Sequence, residues 1–347
     1  MVHARFQQPG TAAQHWRVGF SILATVLVAI ACGGQVARST TASPERPGPS
    51  GAPAIATDPS PRTSREPLPG GRLVYAKFLG EVGTLFTSNP DGTDVTPLLP
   101  AGTGELPRWS PDGRRISVVA GDASGPLFVA LVDPDGSNYV RFDNPDSKLN
   151  LACFAWSPDG SRLACEGWDD TDLSRNGIYT VRSSDGGDLA RVTTSPDGAH
   201  DIPTDYSPDG HQVVFTRGKP QDEGKRDRMM VVDADGSGAR ALSDQRLGQG
   251  RWSPAGKTIL SDNGKQLVLV PIGGGAIRTI EIVSDNGPRV AIFASWSPDG
   301  EWIVFSGRAS KSVDLYIMRA DGTHLHQVTD TPIGMYEDAA DWGVPAP

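Results

Sequence analysis

From residue 72 onward the chain alternates short apolar runs with tight-turn signals, and no long stretch keeps the 3.6-residue apolar period of a helix. One set of runs lies at 73–75, 116–119, 163–165, 213–215, 259–260 and 303–305. All but the first follow an aromatic-Ser-Pro-x-Gly segment: Trp109, Trp156 and Trp296 begin Trp-Ser-Pro-Asp-Gly, Tyr206 begins Tyr-Ser-Pro-Asp-Gly, and Trp252 begins Trp-Ser-Pro-Ala-Gly. A second set of runs, 127–132, 178–181, 229–232 and 315–318, leads into turns such as Asp133-Pro-Asp-Gly and Arg319-Ala-Asp-Gly. Runs this short, bounded by Gly, Pro, Asp and Ser, predict strands joined by hairpin turns.

The aromatic residues are spaced 47, 50, 46 and 44 apart, and a further 46 residues reach Trp342. A repeat of about 40–50 residues carrying several strands is the period of a propeller blade. The repeated segment has a physical reason. A type I turn takes Ser at its first position, Pro at its second and Gly at its fourth, and the preceding aromatic is suited to pack between blades. Five blades begin near Pro107, Ala152, Ile202, Gly250 and Ile292. Residues 72–99 supply strands two to four of a sixth blade, and 338–343 supply its first strand. The expected fold is therefore all-β: a six-bladed propeller of four-stranded blades over 71–345, closed by pairing its two ends. Closure removes the open sheet edges that would invite aggregation.

The N-terminus changes the picture of where this ring resides. Arg5 and Arg17 precede an apolar run at 18–31, 14 residues long. At about 1.5 Å per residue it falls short of a bilayer core of about 30 Å, and it reads as the apolar region of an export signal. The run ends Val28-Ala29-Ile30-Ala31-Cys32-Gly33-Gly34, which resembles the lipobox of bacterial lipoproteins, with Ala29 where Leu is usual. The resemblance implies lipidation of Cys32 after removal of 1–31; the alternative is an ordinary cleaved signal. Residues 32–70 are rich in Pro, Ser, Thr, Gly and Ala with few large apolar side chains, as in an extended tether. The formal charge of −9 becomes −11 once the two leader arginines are gone. Such a chain lacks the clustered cations that nucleic acid requires.

The Trp-Ser-Pro-Asp-Gly repeats, together with Arg191-Val-Thr and Gln327-Val-Thr, resemble the propeller domain of TolB and the wider WD-like bacterial propellers, including the non-catalytic propellers of prolyl peptidases. The likeness covers 72–342. TolB also carries an N-terminal α/β domain that meets other envelope proteins. Here a lipobox-like leader and a tether stand in its place, so the resemblance implies the propeller and not the Tol role.

Because strands alternate in direction, both kinds of tight turn fall on one face of the disc, and the loops between second and third strands and between blades fall on the other. Binding residues concentrate on such loops. The candidates on this loop face are Trp168, Asp169 and Asp170 in the 167–175 loop, His200 and Asp201, and Tyr336 and Asp338; the 219–228 loop belongs to the same face. Trp168 and Tyr336 could stack on a sugar or grip a peptide, or Trp168 could simply cover a blade edge. No cofactor is expected from the sequence; Asp201 and Asp338 occupy equivalent positions before their blades' first strands and could reach the channel, where they could hold a cation such as calcium.

Other chemistry is thin. The sequence has no Gly-x-Ser-x-Gly, His-Glu-x-x-His or Cys-x-x-Cys. Gly256-Lys257-Thr258 is a repeat turn, and His324 and His326 sit on an outer strand where polar residues are ordinary. Cys153 and Cys165 lie six residues either side of Asp159, the centre of their turn, and should face each other across a strand pair. They would form a disulfide in an oxidising compartment, or remain two small buried thiols. Three functions fit: an exported, membrane-anchored monomeric scaffold for a protein or peptide of the envelope; a glycan or small-ligand sensor at the channel mouth; or a metal-assisted hydrolase or lyase using channel carboxylates.

Overall fold

The computed structural model describes residues 68–344 except 81, 122–126, 145, 220–226, 285 and 310. The export signal, Cys32 and most of the tether lie outside the described residues, as does most of the 219–228 loop. Within them the chain forms six four-stranded antiparallel sheets arranged as blades of a ring. Blade 1 begins with Glu105–Trp109, blade 2 with Asn150–Trp156, blade 3 with His200–Tyr206, blade 4 with Arg251–Trp252 and blade 5 with Val290–Trp296. Blade 6 has Met335–Gly343 innermost, followed outward by Arg72–Leu79, Val82–Ser88 and Thr96–Pro97. The last strand thus closes the ring on the first, with Leu73 opposite Trp342 and Lys77 opposite Glu337. No helix among the described residues is long and apolar enough to cross a membrane.

The repeated turn does more than reverse the chain. In blade 1 the Gly113 amide donates to the Ser110 carbonyl at 2.9 Å, with Gly113 at φ +69°, where a side chain would be strained. Asp112 accepts from the Ser110 hydroxyl and the Arg114 amide, and Ser110 Oγ accepts from the Arg115 amide. The same bonds recur around Asp159, Asp209 and Asp299. Ala255 forfeits the carboxylate cap, yet blade 4 keeps the Gly256 amide to Ser253 carbonyl bond and the Thr258 amide to Ser253 Oγ bond.

Each aromatic packs on the preceding blade. Trp109 joins Val74, Leu85 and Leu98, Tyr206 joins Ala164 and Ile178, and Trp252 joins Val214 and Met229. Burial of these large rings between sheets, with the aliphatic side chains around them, helps to hold adjacent blades together. Leu68 already packs beside Trp342 and Leu73, and the Trp342 indole donates to the Gly70 carbonyl, so the end of the tether rests on blade 6.

The first strands of blades 1, 2, 3, 5 and 6 carry a bulge at one shared place, just before the residue that precedes the aromatic. A bulge adds a residue on one strand and shifts the register by one. Cys153 faces Cys165 because of it: the turn pairs Trp156 with Leu163 and Ala155 with Ala164, and the bulge then brings the two cysteines opposite. Their sulfurs stand at bonding distance.

Candidate functional site

The loop-face candidates are for the most part consumed by the fold. Trp168 is buried, packed on Leu106, Val119, Ala152 and Phe154, so the expectation of an exposed stacking ring is overturned by its place between blades. Asp169 is buried too. It accepts from the Thr171 amide and hydroxyl and pairs with Arg175 at 2.8 Å, bonds that hold its carboxyl below the usual range. Asp172 caps the short 3-10 turn Leu173–Arg175, and Arg175 also pairs with Asp146. Of the candidates Trp168, Asp169 and Asp170, only Asp170 is exposed.

Asp201 is fully buried, gripped through both oxygens by Arg217 at 2.6 Å and by the Thr193 hydroxyl at 2.7 Å. The His200 ring pairs with buried Glu166 and stands 6.2 Å from the Trp168 ring. Burial opposes protonation of His200, but the Glu166 carboxylate outweighs it and raises the imidazole above its ordinary value. Tyr336 stacks on Phe78, centroids 4.8 Å apart. The equivalence expected of Asp201 and Asp338 is also corrected. Asp201 lies opposite Arg217 and Glu337 lies opposite Lys77, so Glu337 is the true counterpart, while Asp338 aligns with Ile202. Glu337 pairs with Lys77 at 3.1 Å. These residues form separate ion pairs and stacks and not one constellation.

The structure gathers charge elsewhere. A cavity of about 280 Å³ sits at the channel mouth on the tight-turn face and is lined by all six blades. Its walls are the residues that precede each aromatic: Arg108, Ala155, Asp205, Arg251, Ser295 and Asp341. Read around the ring from blade 6, they run Asp341, Arg108, Ala155, then Asp205, Arg251, Ser295. Acid, arginine and small residue thus repeat twice, and each arginine stands across the channel from the other.

The bonding repeats with the same symmetry. Asp341 Oδ2 accepts from the Trp109 amide at 2.9 Å, and Asp205 Oδ2 accepts from the Trp252 amide at 2.8 Å. The innermost strand of a blade is a sheet edge, and these carboxylates satisfy amides that have no strand beside them. The remaining oxygens are used as well: Asp341 Oδ1 takes the Ser295 hydroxyl and Asp205 Oδ1 takes the Tyr206 amide. The Arg108 and Arg251 carbonyls accept from the Trp156 and Trp296 indoles, each at 3.3 Å. Arg108 donates to the Pro107 carbonyl and Arg251 to the Thr204 carbonyl.

Both guanidinium groups are buried. Burial, then repulsion from Arg251, pulls Arg108 down to about 9, although Asp341, Asp205 and Asp338 oppose this. Burial lifts Asp205 to about 6 against the attraction of Arg251. Asp338, aligned with Glu105 in the next blade, is lifted to about 7 by burial and by the Glu105 charge. Among the described residues, no group of three or more His, Cys, Asp or Glu side chains is placed to hold a metal ion. The sequence did carry a signal for this site. The position before the aromatic is charged in four of the six repeats.

No family model matches the sequence. The chain is 31% identical over 228 residues to the uncharacterized peptidase YuxL of Bacillus subtilis (strain 168), a match that takes 61% of this chain and 31% of the relative. It therefore spans about a third of the length of that protein. Among solved structures it resembles TolB from Acinetobacter baumannii (TM-score 0.61, 21% identity, 78% of this chain and 66% of that one). It also resembles a putative TolB from Agrobacterium tumefaciens (TM-score 0.56, 17% identity, 79% of this chain and 99% of that one). The fold is that of the TolB-like six-bladed propellers.

Proposed function

We propose that this propeller is an extracytoplasmic binding module that acts as a single copy and receives a segment of another polypeptide at the channel mouth on its tight-turn face. The observation that carries the reading is the cavity walled by all six blades around two buried guanidinium groups. Its volume, about 280 Å³, falls just below the range of about 300–1,000 Å³ typical of ligand sites. That is room for the end of a chain or a protruding side chain and not for a folded domain. The fixed ring of blades supplies a preformed site, so little ordering entropy is lost on binding. One likeness supports a polypeptide ligand: a relative named as an uncharacterized peptidase. The lipobox-like Cys32 would hold the module at a membrane surface, and the tether would let the disc reach a partner.

The test is equilibrium dialysis of the full chain in detergent against a pool of random tetrapeptides, read by mass spectrometry. Retention of a peptide subset, lost when Arg251→Met alters the mouth, is the expected result. A protein that retains no peptide overturns the reading.

A further inference from the structure

The geometry points to a carboxylate as the group that the mouth recognises: Arg108 and Arg251, facing each other across the cavity, form a two-armed clamp for a single carboxylate presented by a peptide. The inference rests on the proposed polypeptide-binding role and gives that role its chemistry.

Four charged side chains line the mouth, two of each sign, and a ligand of either charge would at first sight be equally welcome. The hydrogen bonds break the tie. All four oxygens of Asp205 and Asp341 already accept bonds from main-chain amides or from Ser295, and three of those four bonds tie one blade to another. These carboxylates are spent on holding the ring. The arginines are arranged differently: Arg108 is tethered to the Pro107 carbonyl and Arg251 to the Thr204 carbonyl, which helps to fix where each guanidinium lies. A planar guanidinium carries five donors in a fixed fork that matches a carboxylate, and no lysine lines the mouth to act as a simple point charge.

The pseudo-two-fold order makes the match specific. Arg108 and Arg251 stand in blades 1 and 4 of six, so an anion on the channel axis lies between them. Two buried cations that repel each other, one of them held at about 9, are a cost that the unliganded ring carries. A negative charge between them adds to the offset that Asp341, Asp205 and Asp338 already supply, and a cation works against it. Ala155 and Ser295 complete the ring with small side chains, which leaves space for the atoms that bear the carboxylate. The carboxylate can come from a chain terminus or from an Asp or Glu side chain; both present the same group.

The experiment uses the full chain in detergent and three N-acetylated tetrapeptide pools: free acids without Asp or Glu, the same peptides as C-terminal amides, and amides that contain one Asp. Equilibrium dialysis measures each pool with inorganic phosphate and acetate as competitors. Retention of the free-acid pool, or of the Asp-containing amides, at least about tenfold above the neutral amides is expected, as charge-assisted hydrogen bonds are stronger than neutral ones. The pool that is retained names the source of the carboxylate. Acetate should compete better than phosphate. Arg108→Met and Arg251→Met should each erase the preference, and Arg251→Lys should restore part of it, with folding checked by thermal melts. Equal retention of neutral amides and free acids overturns the clamp and leaves the polypeptide reading standing. Retention of no pool overturns both, and phosphate competing as well as acetate shows a general anion site and overturns the carboxylate assignment. The comparison of pools on the unaltered protein needs no variant, so a substitution that fails to fold does not shelter the proposal.

Discussion

Asp341 and Trp109 are 232 residues apart in the chain, and the Asp341 carboxylate accepts the Trp109 main-chain amide at 2.9 Å. This bond joins the closing blade to the first, at the seam where the ring could open. Asp205 and Trp252 form the same bond between blades 3 and 4, at 2.8 Å. Removing either carboxylate strands an amide in the channel wall, which costs about 1–3 kcal/mol. Asp341→Ala and Asp205→Ala should each lower stability by that amount in urea unfolding followed by tryptophan fluorescence. Asp341→Asn keeps an acceptor and should lose less than Asp341→Ala. Equal losses for Asn and Ala would show that the hydrogen bond is not what the carboxylate supplies.

Trp168 provides a test of site against scaffold. Its ring lies between blades 1 and 2 against Leu106 and Phe154. Trp168→Ala should therefore cost about 3–5 kcal/mol of stability, the usual result of emptying a large buried ring position. Peptide retention per folded molecule should stay unchanged. A variant that keeps its stability and loses ligand would return the ring to the binding site.

The propeller was legible because its code is local and repeated. Turn chemistry at Ser110, Pro111, Asp112 and Gly113, copied at blade intervals, fixes where strands one and two meet, and the leftover strands at 72–99 and 338–343 leave one way to close. The site was not legible from loops, for two physical reasons. First, irregular loops are ordered by the same polar residues that look functional: Asp169, Asp172 and Arg175 hold one another. Second, the bulge in the first strand leaves no residue signature of its own, yet it shifts every register beyond it. Blades 3 and 6 share it, so it leaves their equivalences unchanged: Glu337, like Asp201, stands five residues before its aromatic. The charged position before the aromatic was visible throughout, but its meaning depends on strands from six blades converging on one channel.

Cys153 and Cys165 face each other across the first hairpin of blade 2 with sulfurs at bonding distance. In protein collected from an oxidising compartment, intact mass should fall by two hydrogens relative to the reduced chain, and alkylation without reductant should leave both cysteines unmodified. A bridge across 12 residues should stabilise by roughly 3 kcal/mol through the unfolded chain. The double variant Cys153→Ala, Cys165→Ala should lose about that much under oxidising conditions and much less in the presence of reductant. Full alkylation of the oxidised preparation would rule the bridge out.

Asp338 sets a pH dependence whose sign can be worked out. Burial, and then the nearby Glu105 charge, raise its folded pKa to about 7, whereas the unfolded chain releases this proton near the ordinary aspartate value of about 3.9. Between those two values the folded chain holds a proton that the unfolded chain has lost. Stability therefore falls as pH climbs from about 4 to about 7, with a slope of at most about 1.4 kcal/mol per pH unit from this group, and levels off above. Asp205 and Asp262, each raised to about 6 chiefly by burial, add falls of the same sign that end sooner. Asp338→Asn carries no titrating proton, so it should match the parent near pH 4, where Asp338 is neutral in both states, and exceed it near pH 8. Glu105→Gln removes the repulsion while leaving Asp338 in place, and should yield a shallower fall than the parent. Urea midpoints across that pH range distinguish these cases. Parallel curves for the parent and Asp338→Asn would mean that Asp338 titrates in the folded chain as it does in the unfolded one.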